Sequence, residues 1–185
     1  MEPIALQYYI EQVATLGDTV AFEKLFYYYH SKIKRFALAI TRNNELAEEA
    51  TSDLFVNIWK NRTSLLEIEN LNSYLYISIK NIALRKISQN KQQFDVLEMT
   101  HLDLSDITPS PEDILLNKEI IKHIDEAINS LPQRCRTIYR LAKQDGLRYK
   151  EIASILNLSV KTIDAQMAIA VKRITKALKY NFQRI

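Results

Sequence analysis

The chain is short of the residues that make turns. Its 185 residues include two glycines, Gly17 and Gly146, and four prolines. So few turn formers exclude a many-stranded sandwich or barrel, whose hairpins consume them. A glycine-rich phosphate loop is excluded on the same ground. The single cysteine, Cys135, rules out an internal disulfide and suits a reducing compartment. No apolar run approaches the length of about 18 residues that a membrane span needs. The start, MEPIALQYYIEQ, has no basic segment ahead of an apolar one. The expectation is a cytoplasmic chain, neither exported nor inserted directly into a membrane.

Chemistry-bearing clusters are also scarce. His30, His101 and His123 share no metal-ligand spacing with one another or with Cys135, so no metal site is expected. No carboxylate is paired with a nearby base in an apolar setting, as general acid–base catalysis requires. Cys135 lies in LPQRCR between two arginines. That setting leaves two readings: a thiol acidified by its neighbours, or a small buried side chain. The expectation is a protein without enzymatic activity, cofactor or small-molecule substrate.

What the sequence does have is charge in blocks. Residues 1–94 carry 11 Lys+Arg against 10 Asp+Glu, residues 95–126 carry 2 against 9, and residues 127–185 carry 12 against 3. A C-terminal segment this basic suits a polyanion binder, because Lys and Arg release counterions from phosphates. A solvated basic surface would look the same on charge alone.

Apolar spacing reads as helix throughout. Asp18 is placed to cap a helix whose stripe is Phe22, Leu25, Phe26, Tyr29, Ile33, Phe36, Ala37 and Ile40. Asn44 is placed to cap a second helix with Glu45, Glu48 and Glu49 near its start, the sign a helix dipole favours there. Leu46, Ala50, Leu54 and Ile58 form its buried row, with Phe55 and Trp59 beside it. A third helix begins near Leu71 to Ser73 and runs to about Ile87. The stretch SQNKQQFDVLEMTHLDLSDITPSP is polar, acidic and closed by two prolines, which marks a tether. Periodicity returns at Ile114, Leu115, Ile121, Ile124 and Ile128 and stops at Leu131-Pro132. Further helices are predicted over Gln133–Gln144, Tyr149–Leu156 and Lys161–Asn181. The fold class is all-α: two small helical domains, residues 1–92 and 113–185, joined by an acidic linker, 93–112.

GLRYKEIASILNLSVKTIDAQ reads as helix, turn, helix. Ile152, Ala153 and Leu156 point into a core, Asn157-Leu158-Ser159 turns, and Ser159 caps the next helix. On that helix Ile163, Met167, Ala170, Ile174 and Leu178 share one face. Lys161, Thr162, Ala165, Ile169, Lys172 and Lys176 share the opposite one. A helix docked on its apolar side and short-chained near its start can enter a major groove, while later lysines neutralise phosphates. An αα-hairpin with no partner gives the same pattern.

On the helix after Leu71, Tyr74, Ser78, Asn81 and Arg85 share a face, with Leu75, Ile79 and Ile82 on another and Ile77 and Leu84 on a third. An aromatic ring, a hydroxyl, an amide and a guanidinium in a row can stack on and hold unpaired bases. An exposed polar stripe is the plainer alternative. Tyr27, Tyr28 and Tyr29 read as core or interface filling.

Taken in order, these segments resemble the extracytoplasmic-function (ECF) sigma factors of bacterial RNA polymerase, of the iron-transport and polysaccharide-utilisation type found in Bacteroidetes. FEKLFYYYHSKIKRFALAITRNNELAEEATSDLFVNIWKNR is similar to their regions 2.1 and 2.2, and NLNSYLYISIKNIALRKI to regions 2.3 and 2.4. SPEDILLNKEI and LPQRCRTIYRLAKQDGLRYKEIASILNLSVKTI resemble region 4. The resemblance implies docking on core RNA polymerase through Glu45, Glu48, Glu49, Asp53, Phe55 and Trp59. It implies capture of the −10 single strand by Tyr74, Ser78, Asn81 and Arg85. It implies reading of −35 promoter DNA by Lys161, Thr162, Ala165, Gln166, Ile169, Lys172, Arg173 and Lys176. A linker lying in the polymerase's nucleic-acid channel and a membrane-bound anti-sigma factor as a further partner follow from it too.

One departure stands out. Where the family commonly has Arg, Asn or His, this chain has Asp164, Ala165, Gln166, Met167, Ala168 and Ile169. Base reading would then rest on Lys161, Thr162, Gln166 and methyl contacts of Ala165 or Ile169 with thymine. Apart from the resemblance, the residues also admit a stand-alone helix-turn-helix transcriptional regulator or an adaptor between proteins.

Overall fold

The structure is a computed structural model that describes residues 3–90 and 123–182, and every regular element among them is helical. The chain divides into two compact units. The expected linker, 93–112, lies outside the described residues, as do the domain boundaries on either side of it and most of the periodic stretch from Ile114.

In the first unit, helix starts are fixed by side chains that satisfy otherwise unpaired amides. Asp18 caps α2 (Thr19–Thr41), its carboxylate accepting from the Val20 N–H at 2.8 Å and the Ala21 N–H at 3.2 Å. α3 (Asn44–Lys60) is capped by Asn43, not Asn44: Asn43 Oδ1 accepts from the Leu46 N–H at 2.9 Å. Asn44 is already helical. α4 (Leu71–Asn90) starts where Asn70 Oδ1 accepts from the Ser73 N–H at 2.8 Å.

These three helices pack on one another around Leu25, Tyr29, Ile33, Phe36, Ala50, Leu54, Ile58, Leu75, Tyr76 and Ile79, all buried. Two groups break the apolar run and are satisfied within it. Thr51 Oγ1 donates to the Ala47 carbonyl at 2.7 Å, and Tyr29 Oη donates to Asn72 Oδ1 at 2.7 Å. The second bond ties the middle of α2 to the first turn of α4.

Two elements of this unit were not anticipated. α1 (Pro3–Leu16) buries Ile10, Val13 and Ala14 and packs on α2 and on a 3-10 turn, Arg62–Glu67. α1 stops at Gly17, whose backbone is left-handed at φ +64°. A side chain there would be strained, and its Cβ would press within 3.2 Å of Arg62 Nε.

The second unit contains α5 (residues 123–129), α6 (Gln133–Lys143), α7 (Tyr149–Leu156) and α8 (Val160–Phe182). Ala127, Ile128, Leu131, Cys135, Ala170 and Ile174 form one core cluster. Ile138, Leu141, Leu147, Ile152, Ile155, Ile163 and Met167 are buried as well. On α7 the inward residues are Ile152, Ala153 and Ile155; Leu156, expected there, is only half-buried. The turn to α8 forms as expected. Asn157 takes the left-handed conformation at φ 55°, and Ser159 Oγ accepts from the Thr162 N–H at 3.0 Å.

The cap assignment has a direct consequence. Asn43→Ala should lower stability by about 1 kcal/mol while Asn44→Ala changes it little. Urea unfolding of the two variants, followed by circular dichroism, measures the difference.

Candidate nucleic-acid interface

The row expected on α4 is in place. Leu75, Tyr76, Ile79 and Ala83 face the core, so the 3.6-residue period turns Tyr74, Asn81 and Arg85 outward and leaves Ser78 half-buried. Tyr74 is 38% exposed, open enough for one ring face to meet a planar partner. From Tyr74 to Arg85 the row spans about 16 Å of helix, room for several stacked or splayed bases. Tyr29, buried, holds the start of this helix through Asn72, and its hydroxyl pKa is pushed well above the ordinary tyrosine range by burial. Its neighbours differ: Tyr28 lies under Lys32 Nζ, 4.0 Å from the ring centroid, and Tyr27 is exposed.

The acidic side of α3 is laced to its neighbours. Glu48 is ion-paired with Lys34 of α2, and His30 Nε2 lies 3.4 Å from its Oε1. The hydrogen bond from Lys34 holds the Glu48 carboxyl below its ordinary value. Lys86 of α4 reaches Asp53 Oδ2 at 2.8 Å and Glu49 Oε2 at 3.1 Å. Those two carboxylates, Asp53 first, raise the Lys86 pKa against the opposing effect of its partial burial. Glu45 is exposed at the start of the helix. The acidic face is therefore open to solvent and half-neutralised from behind. Lys34, Lys86 and His30 were not read from the sequence, because nothing local links them to α3.

Phe55 needs correcting. It is 5% exposed, with ring centroids 4.7 Å from Phe26, 6.3 Å from His30 and 6.4 Å from Phe22. A side chain enclosed in this way supports the helix from beneath and does not meet a docking partner. Trp59 is half-buried, packed on Phe22 at 5.0 Å, with the Arg62 guanidinium 5.2 Å from its ring centroid.

On α8, Lys161, Ala165, Ile169, Lys172, Arg173 and Lys176 are exposed, while Ile163, Met167, Ala170 and Ile174 are buried. Two expected base readers are otherwise engaged. Thr162 Oγ1 shares a hydrogen bond with Ser159 Oγ at 2.8 Å in the cap. Gln166 is half-buried, and its Oε1 accepts from Cys135 Sγ at 2.8 Å. That carbonyl therefore faces α6. Cys135 itself is buried, and burial pushes its thiol up despite the Arg173 and Arg134 charges that pull it down. The acidified-thiol reading falls. Two histidines have structural surroundings: His30 stacks among Phe26 and Phe55, and His123 Nδ1 lies 3.3 Å from Glu126 Oε2. His101 lies outside the described residues. Among the described residues no helix is long and apolar enough to cross a membrane.

Comparison with known proteins matches this geometry unit by unit. The profile described as "Sigma-70 region 2" matches residues 25–93, and that described as "Sigma-70, region 4" matches residues 122–174. The chain is similar to the ferric citrate uptake sigma factor FecI of Escherichia coli (strain K12), with 26% identity over 159 residues, 86% of this chain and 91% of FecI. It is similar to the ECF RNA polymerase sigma factor SigW of Bacillus subtilis (strain 168), with 26% identity over 171 residues, 88% of this chain and 91% of SigW. Its fold is similar to that of the sigma factor RpoE of Bartonella quintana, solved with the anti-sigma factor NepR. There the TM-score is 0.57 at 19% identity, covering 85% of this chain and 96% of that one. Two helical units matching regions 2 and 4 in that order define a sigma factor. The chain belongs to the sigma-70 family, in its ECF group of RNA polymerase sigma factors.

The Glu48 pairing sets a pH dependence. A carboxylate favoured in the folded state contributes stability that is complete above its ordinary value of 4.5 and disappears as pH falls through the lowered one. Glu48→Gln should therefore flatten the loss of stability that sets in as pH falls below the ordinary value of 4.5. Thermal melts of both proteins as pH is lowered through that value read the effect.

Proposed function

We propose that this sigma factor works as a promoter-specificity subunit whose two units divide the labour. Residues 1–92 dock on core RNA polymerase and hold the melted −10 strand, residues 113–185 read the −35 duplex, and 93–112 tether them. The observation that carries this reading is the row on α4 with Tyr74, Asn81 and Arg85 open to solvent and Ser78 half-buried among them, in the same chain as a groove-sized helix with cations at both ends of its exposed face.

The chemistry of each step suits the groups present. Pulling a base out of the stack costs a few kcal/mol, which stacking and hydrogen bonds in the receiving site must offset. Tyr74 supplies the stacking face, Asn81 the amide that can both donate and accept, and Arg85 a donor fork for phosphate. On α8, Lys172, Arg173 and Lys176 are placed to neutralise phosphates beside the groove. Docking falls to Glu45, Glu48, Glu49 and Asp53 with the exposed edge of Trp59, supported from below by Phe55. None of these steps breaks a covalent bond, so the role calls for no enzymatic activity, cofactor, metal or small-molecule substrate.

The finer assignment, to the Bacteroidetes iron-transport and polysaccharide-utilisation type acting in the cytoplasm, is part of this proposal and rests on sequence resemblance. So does a membrane-bound anti-sigma factor as partner, which the anti-sigma complex of the Bartonella quintana relative supports.

Reconstituted transcription with core polymerase tests the reading. The chain should support initiation from a subset of promoter fragments. Asn81→Ala should retain polymerase binding yet open linear promoters at least tenfold less well, scored by permanganate footprinting of unpaired thymines. Absence of initiation where a control sigma factor works, or full opening by the variant, would contradict it.

Lys172→Glu or Lys176→Glu should weaken duplex binding about equally for all sequences. The slope of log affinity on log salt should shrink by about one for each phosphate no longer neutralised. Fluorescence anisotropy over a salt series measures it, and an unchanged slope removes these lysines from the DNA face.

A further inference from the structure

Resting on the reading of α8 as the duplex-facing helix, we infer that this protein recognises its upstream element chiefly through thymine methyl groups, with Ile169 the principal reader and Ala165 beside it. Two polar groups in the first half of the helix have partners within the protein. Thr162 Oγ1 is bound to the capping Ser159, and Gln166 Oε1 is held by Cys135. The Thr162 hydroxyl and the Gln166 carbonyl are thus engaged by the protein itself.

What remains exposed between Lys161 and Lys172 is short or apolar. Ala165 and Ala168 are exposed and carry no hydrogen-bonding group, and Ile169 is 41% exposed. Asp164, the remaining polar side chain there, accepts only; it lies away from Ala165 and Ile169, and phosphates repel it. An isoleucine left in water at the middle of a face with a cation at each end, Lys161 and Lys172, costs hydration free energy unless something apolar covers it. In the major groove the apolar group that a base edge offers is the C5 methyl of thymine. Lys161 and Lys172 are about 16 Å apart along the axis, so phosphate contacts at both ends would press the face between them onto the base edges.

The test replaces thymine by deoxyuridine, which keeps base pairing and every hydrogen-bonding group and deletes only the methyl. Duplexes are first enriched from a random library by the full chain assembled with core polymerase. Each enriched upstream thymine is then changed to deoxyuridine in turn. At one position or more, the substitution should weaken binding about fourfold, the value of one buried methyl. Ile169→Ala should abolish that discrimination while leaving affinity for the deoxyuridine duplex within about twofold.

Retained specificity with no loss for any deoxyuridine duplex would overturn methyl reading while leaving α8 as the duplex reader. Enrichment of no upstream sequence would overturn the duplex reading and this inference with it. If Ile169→Ala leaves thymine discrimination intact but weakens assembly with the polymerase, Ile169 faces protein and the assignment falls.

Discussion

α4 has to satisfy two surroundings at once, and the rest of the first unit is arranged around that constraint. Its inward residues, Leu75, Tyr76, Ile79 and Ala83, complete the core shared with α2 and α3. Each is fixed in rotation by the others, since a turn of the helix by one residue would put a polar side chain where Ile79 has no exposure at all. That rotation is what presents Tyr74, Asn81 and Arg85 to solvent together. Two polar ties then set the helix along its axis: Tyr29 to Asn72 at its first turn, and Lys86 to Asp53 and Glu49 in its later part. The capture of a melted strand proposed for this surface would gain from such fixing, because entropy lost in ordering side chains would otherwise count against it.

The same ties explain how the acidic helix proposed to dock on the polymerase can gather its carboxylates without repelling itself. Glu45, Glu48, Glu49 and Asp53 crowd the start and middle of α3. Lys34 comes from α2 to pair with Glu48, Lys86 comes from α4 to bridge Glu49 and Asp53, and the positive end of the α3 dipole favours Glu45. Each pair is partly exposed and screened, so none contributes much stability alone. Their effect is geometric: they hold the carboxylates in one orientation while leaving Glu49 and Asp53 accessible for a basic partner to share.

How much of this was legible followed the range of the interactions involved. Long periodic helices, the caps at Asp18 and Ser159, and the outward row on α4 rest on spacings within one element, and each could be read directly. The cap at Asn43 was misplaced by one residue because two adjacent asparagines offer the same chemistry, and only the Leu46 amide decides between them. α7 is eight residues long, too few for the period to separate Ile155 from Leu156. α1 carries a weak stripe whose meaning depends on the 3-10 turn it packs against. The spacing places Phe55 beside the buried row and resemblance gives it a docking role; Phe22, Phe26 and His30 of α2, which enclose it, have no local spacing to it. Lys34 and Lys86 join α3 across the bundle, where no local spacing could announce them.

Cys135 shows how a buried residue can shape what an exposed face offers. Two flanking arginines suggested an acidified thiol, yet the residue sits among Ala127, Ile128, Leu131 and Ala170, where desolvation outweighs the charges. A thiol kept protonated remains a donor, and the acceptor it meets is Gln166. A bond from beneath α8 thus occupies the carbonyl of a half-buried glutamine on the helix proposed to face DNA. The helix-turn-helix scaffold determines which face points outward, but the chemistry of that face also depends on the layer below, where a single core side chain engages the Gln166 carbonyl while Ala165 and Ile169 stay at the surface.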